Sequence, residues 1–138
     1  MKFKLLRDNV STPCVGTERS AGIDLRLSKI ITSDHGVFTL GLGVAVEIPE
    51  DHFGMLCVRS STGSKGLAMT NSVGIIDSDY RGELMMKCTF THRGHDFPET
   101  GERIAQLIVM PYLKTTVEIV DELTDTVRGE GGFGSTNK

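Results

Sequence analysis

Residues Gly36–Pro49 read GVFTLGLGVAVEIP, a run of β-branched and apolar residues that Pro49 closes. From Gly43 to Ile48 polar and apolar residues alternate imperfectly, the pattern of a strand with one buried face. Proline has no N–H to give to a ladder, so Pro49 is a natural strand stop. Working outward, Phe53–Val58, Leu84–Phe90, Ile104–Tyr112 and Thr115–Val120 have the same character and end in turn signals. Ile104–Met110 fits a buried strand or a turn of helix by period, and its short length favours the strand. The one helical candidate lies around Ser64–Thr70, where Gly63 and Gly66 weaken helix formation. Short strands with at most one short helix predict an all-β fold, a sandwich or a barrel. Sixteen glycines in 138 residues fit many tight turns, since glycine averages about 7% of residues.

The length suits one domain with a real core. At 38% hydrophobic and 24% charged the chain has a globular composition. A net charge of −3 gives it no general attraction for nucleic acid. Cys14, Cys57 and Cys88 form neither a disulfide framework nor a zinc pattern, which fits a reducing cytoplasm. The opening MKFKLLRDNV lacks an apolar signal core, and no stretch is long enough to span a membrane. Residues 128–138, RGEGGFGSTNK, carry four glycines in eleven positions. They cannot pack a core alone, so residues 1–127 are expected to form the domain and 128–138 a flexible arm ordered by what it binds.

Five segments stand apart from this framework: Ala21-Gly-Ile-Asp24-Leu25; Arg59-Ser-Ser-Thr-Gly63; Asn71-Ser-Val-Gly-Ile-Ile-Asp77-Ser-Asp-Tyr80-Arg-Gly-Glu83; Gly101-Glu-Arg103-Ile-Ala-Gln106-Leu; and Arg128-Gly-Glu-Gly-Gly-Phe133-Gly-Ser135-Thr136. The second offers hydroxyls, main-chain N–H groups and a guanidinium, a set suited to phosphate oxygens or simply to solvent. It lacks the Walker spacing. The third reads as a glycine-bounded β-hairpin in which Asp77 caps a turn and Tyr80 packs at a core edge, unless both face a ligand. In the fourth, Gln106 is an amide inside an apolar run and needs partners. Gly129, Gly131 and Gly134 formally match the dinucleotide fingerprint, but no helix and second strand can follow.

In this order the five segments resemble the motifs of the trimeric dUTP pyrophosphatase (dUTPase) family, across residues 21–136. The resemblance implies a distorted jelly-roll or β-clip barrel whose C-terminal arm closes over an active site. It implies hydrolysis of dUTP to dUMP and pyrophosphate by a homotrimer with shared sites. Asp77 matches the carboxylate that orients and deprotonates the attacking water; a carboxylate is a weak base, so its value lies in placement. Tyr80 matches the ring that lies against the deoxyribose and leaves no room for a 2′-hydroxyl. Asn71 and Gly74 belong to the segment that reads uracil. By the same likeness Arg59, Ser60, Ser61, Gly63 and Gln106 meet phosphates, while Asp24 helps to hold Mg²⁺ through water, as suits an ion that keeps several waters. Arg128, Gly134, Ser135 and Thr136 would meet the outer phosphates as Phe133 stacks on the base. Arg103 is read as structural. Thr62 stands where the family more often has an apolar residue.

Two rivals follow from the same residues. A dCTP deaminase shares the family's core fold but needs a glutamate ten residues after Asp77, where this chain has Lys87. A nucleotide-sensing regulatory protein would not need Asp24, Arg59, Asp77, Tyr80, Gln106 and Phe133 together. His92 and His95 have a metal-like spacing without a third ligand nearby, and His35 and His52 sit beside turn residues.

Overall fold

The computed structural model describes residues 1–91 and 96–132. The described strands form three antiparallel sheets. The largest contains β2 (Cys14–Val15), β3 (Ile23–Arg26), β11 (Arg103–Pro111), β7 (His52–Val58) and β9 (Gly74–Ile76), side by side in that order. A second aligns β4 (Lys29–Asp34), β5 (Val37–Gly41), β10 (Met85–Phe90) and β8 (Leu67–Met69), and a third pairs β1 (Lys2–Leu5) with β6 (Val44–Glu47). A single helix among the described residues, α1 (Ser60–Ser64), follows β7. The all-β expectation holds, but the sheets stay open-edged and no barrel closes among the described residues.

Leucines dominate the core. Leu25, Leu40, Leu56, Leu84 and Leu107 are essentially inaccessible, and Met86, Cys88 and Ile104 join them from β10 and β11. Burial pushes the Cys88 thiol up to about 12, so it serves as an apolar core atom rather than a nucleophile. Phe38, Phe90 and Phe97 meet edge to face beside this core, with centroids 5.0 to 6.0 Å apart.

Four local expectations change. The run Gly36–Ile48 is two strands rather than one: Gly43 adopts φ +71°, a left-handed turn that sends β5 into one sheet and β6 into another. The helix begins earlier than Ser64–Thr70, because Gly66 at φ +89° ends it and Leu67–Met69 pairs with β10. The segment around Asp77 is not a two-stranded hairpin. Its first arm, β9, pairs with β7, and the chain turns at Asp77–Tyr80, where the Tyr80 N–H donates to the Asp77 carbonyl at 3.1 Å. Thr115–Val120 forms no strand within this chain; it is exposed, with Val117 and Ile119 about nine-tenths accessible. Its β-branched residues carry the strand pattern, but a strand needs a neighbour, and this chain offers none among the described residues. No helix is long and apolar enough to cross a membrane. The His92–His95 pair lies outside the described residues; His35 is exposed in a turn, and His52, half-exposed, opens β7.

One ion pair ties the ends of several elements together. Arg7, just after β1, forks onto Glu83 with Nη1 at 2.9 Å from Oε1 and Nη2 at 2.6 Å from Oε2. The Gly43 N–H adds a third bond to Oε1 at 2.9 Å. Bonding to Arg7, the largest effect, helped by the Gly43 N–H and the guanidinium charge, holds the Glu83 carboxyl below its ordinary 4.5 against the opposing effect of burial. A depressed folded-state pKa gives stability that is complete above about 4.5 and is lost as pH falls towards the folded value. Melting temperatures between pH 7 and pH 3 should therefore fall less steeply on the acid side for Glu83→Gln than for the natural sequence. Parallel curves would show that the pair contributes nothing to acid sensitivity.

Candidate functional site

Asp24 leads the first half of the site. It lies in β3, with 7% of its surface exposed, and a carboxylate so enclosed needs cationic partners. It has two. Arg59 Nε forms an ion pair with Oδ1 at 2.8 Å, and Arg103 Nη1 donates to Oδ2 at 3.1 Å. The pairing is a product of register: Asp24 lies opposite Gln106 on β11, and Gln106 lies opposite Cys57 on β7, two residues before Arg59. The Arg59 N–H also donates to the Ile104 carbonyl at 3.0 Å, fixing where the chain leaves β7.

At that point α1 begins, with the Arg59 carbonyl accepting from the Thr62 and Gly63 N–H groups. The N–H groups of Ser60 and Ser61, in the first turn, have no intrahelical acceptors to use. Thr62 is buried, and its hydroxyl donates to the Arg103 carbonyl at 3.4 Å; the polar residue at an apolar position is thereby satisfied. Ser61 and Gly63 are exposed on the same turn. Asp24, Arg59, Ser60 and Gln106 line one cleft of about 320 Å³ with Gly22 and Ile108.

The second half lies at the far edge of the sheet. Asp77 and Tyr80 line a cleft of about 160 Å³ with Ile75, Ile76, Glu83 and Leu84. The Asp77 carboxylate is exposed and makes no hydrogen bond or ion pair among the described residues. Tyr80 folds back so that its hydroxyl donates to the Glu83 carbonyl at 3.1 Å. Arg81 braces the same turn, donating to the carbonyls of Ser78 at 2.6 Å and Tyr80 at 3.0 Å. Asn71 is exposed at the bend before β9, its carbonyl accepting from the Val73 N–H, and Gly74 begins β9. Asp77 also borders a wider cleft of about 700 Å³ on its other side, with Phe53 and Tyr112, but Tyr80 does not reach that one.

The two clefts share no lining residue. β9 lies next to β7, but from Arg59 to Gly54, the partner of Ile76, is five residues, about 16 Å along the strand. A base within one chain would be too far from a phosphate held at Arg59, because its reach is about 3 Å or one bridging water. Of the arm, the described residues 128–132 line neither cleft, and Arg128 Nε donates to the Gly131 carbonyl at 2.8 Å. Phe133, Gly134, Ser135 and Thr136 lie outside the described residues.

Arg103, read as structural, pairs with Asp24, a partner that the sequence did not show. Gly22 is a second residue whose part was not legible. A methyl there would come within 2.5 Å of Gln106 Oε1 and 3.1 Å of its Cβ, so only glycine lets the amide lie over β3. The glycine stands in the sequence beside Asp24, but only the cross-strand packing reveals why.

Open antiparallel sheets with a guanidinium-and-hydroxyl loop beside a paired carboxylate, and a separate carboxylate–tyrosine turn, define an all-β nucleotide hydrolase. Comparison with known proteins narrows the class: the family model described as dUTPase matches residues 8–137. The chain belongs to the dUTPase family. It is 41% identical to the deoxyuridine 5′-triphosphate nucleotidohydrolase of Escherichia phage T5, over 99% of this chain and 97% of that one. The corresponding protein of Legionella pneumophila (strain Paris) is 38% identical, over 95% and 90% of the two chains. Among solved structures, the dUTPase of Staphylococcus bacteriophage 80alpha with dUPNHPP superposes with a TM-score of 0.85. That match has 29% identity and covers 97% of this chain and 96% of the other.

Gly22→Ala should lower stability by about 1–3 kcal/mol as Gln106 is pushed aside. Gly63→Ala, where an added methyl meets nothing closer than Val58 Cγ1 at 3.8 Å, should change it by less than about 0.5 kcal/mol. Urea unfolding of the two variants checks the contrast; equal losses would mean that Gln106 relaxes freely.

Proposed function

We propose that this chain hydrolyses dUTP to dUMP and pyrophosphate, with each site assembled from more than one copy. The observation that carries the reading is the division of the site: a phosphate-type cleft at Asp24, Arg59 and Gln106, and a separate carboxylate–tyrosine cleft beyond β9, at the edge of the same sheet. Its relatives from Escherichia phage T5 and Legionella carry the name of this activity.

In the proposed mechanism Arg59, Ser60, Ser61 and Gly63 receive phosphate oxygens, the guanidinium with charge-assisted bonds and the turn with its N–H groups. Gln106 donates its amide to a further oxygen. Asp77 holds one water in line with the α-phosphorus and accepts its proton as the new P–O bond forms and pyrophosphate leaves. Its exposure and lack of ion-pair partners among the described residues keep it available for that proton. Tyr80 lies against the deoxyribose and excludes a 2′-hydroxyl by contact, while the backbone around Asn71 and Gly74 reads the uracil edge. The arm from Arg128 through Phe133, Gly134, Ser135 and Thr136 closes over the base and outer phosphates, excluding water.

The donor set fits a magnesium ion held mainly by substrate. No group of three or more His, Cys, Asp or Glu that could hold a metal occurs among the described residues. Each Asp24 oxygen faces one guanidinium and retains lone-pair capacity for a metal-bound water. Bound there, Mg²⁺ would supply charge neutralisation at the phosphate oxygens.

A homotrimer accounts for the divided site and for the exposed apolar segment after β11. Leu113, Val117, Ile119 and Leu123 are 87 to 95% accessible, a pattern that suits docking on another copy. The deaminase reading gains no support, because Lys87 is exposed on β10 where that chemistry needs a glutamate.

Incubation with Mg²⁺ and, separately, dUTP, dCTP, dTTP and UTP should give pyrophosphate from dUTP. Asp77→Asn should lower kcat by about 10²–10⁴ while the protein stays folded. Near-normal turnover would remove Asp77 from water activation, and ammonia from dCTP would move the protein to deamination. For the assembly, sedimentation of the double variant Val117→Asp, Ile119→Asp should show a smaller species than the natural protein, with dUTP hydrolysis lost. An active variant of unchanged size would exclude this segment from the interface.

A further inference from the structure

We propose that Arg7 and Glu83 are positioning residues for the sugar filter, setting how strictly Tyr80 rejects a 2′-hydroxyl; the inference rests on the dUTP-hydrolase reading. The Tyr80 hydroxyl donates to the main-chain carbonyl of Glu83, so the ring is placed by wherever residue 83 sits. Gly82 makes the fold-back possible, since a methyl there would collide with the phenol oxygen and ring of Tyr80.

The carboxylate of residue 83 is itself pinned by three bonds from two distant parts of the chain. Its carboxylate accepts the Arg7 fork at 2.9 and 2.6 Å and the Gly43 N–H at 2.9 Å. Arg7 Nη1 also donates to Ser28 Oγ at 3.0 Å, so the guanidinium cannot swing without losing several bonds. Both side chains are largely shielded, at 27% and 17% exposed, and a fork between such groups is geometrically strict. Glu83 also lines the Asp77–Tyr80 cleft, whereas Arg7 does not. Arg7 therefore acts through Glu83 and touches no substrate. Releasing the fork frees residue 83 to drift, the phenol loses a fixed acceptor, and the ring gains rotational freedom. A ring that can move aside admits a ribose.

The test measures kcat/KM for dUTP and for UTP in Arg7→Met, Tyr80→Phe and the double variant. Arg7→Met should lower the dUTP-to-UTP ratio by about tenfold, the scale of one hydrogen bond. Tyr80→Phe should lower it similarly, and the double variant should add little, because both changes break the same chain of contacts. Lys2→Ala, which breaks only the exposed Lys2–Glu47 pair of the same N-terminal strand, should leave the ratio unchanged. If Arg7→Met does not fold, Arg7→Lys, which keeps the charge but loses the fork, carries the measurement with a smaller fall. A folded Arg7 variant with the natural ratio overturns the proposal, as do effects of Arg7→Met and Tyr80→Phe that multiply independently. A natural protein that hydrolyses UTP as well as dUTP overturns the parent reading, and this one with it.

Discussion

Among the described residues Asp24 is the one charged side chain in the buried class, and much of the site's geometry follows from satisfying it. An ionised carboxylate removed from water is tolerated only when cations and hydrogen bonds replace the lost hydration. Here the replacements come from two arginines in different strands' ends, Arg59 after β7 and Arg103 at the start of β11. Removing either would leave one carboxylate oxygen without its cationic partner. The constraint fixes the exit of β7, and with it the start of α1 and the direction of its serines. A buried ion pair is weak evidence for stability, but it is well suited to specifying one arrangement.

How much of this could be read from the residues depended on how local the cause was. The strands β7, β10 and β11 follow from composition and length and were legible to within a residue or two. The break at Gly43 was not, because the residues on both sides are equally apolar. Only the conformation at Gly43 and the demand of β1 for a partner divide them. The helix was placed late because Leu67–Met69 looks equally acceptable as helix or strand until its partner Cys88–Phe90 is known. The site motifs were visible as residue types in order. What the sequence order could not show is that Asp24 spends both oxygens on arginines, or that Gly22 exists to admit an amide from the next strand.

The two clefts show a division of labour within one sheet. One cleft opens across β3, β11 and the end of β7, and the other lies after β9, where the sheet stops. Loops anchored on such edges can vary without disturbing the core. The Arg7–Glu83 fork extends that logic, since it lets the N-terminal strand influence a turn more than seventy residues away in the chain.

The exposed segment after β11 has a consequence for how copies of the chain meet one another. An extended run with Leu113, Val117, Ile119 and Leu123 accessible is a template to which other strands can add. Interleaved with those residues are Glu118, Asp121, Glu122 and Asp125. Four carboxylates in so short a stretch make two copies of it repel each other when aligned side by side. The lone chain is thereby kept from zipping into fibrils through identical arms, and its apolar residues remain available for a surface of different charge.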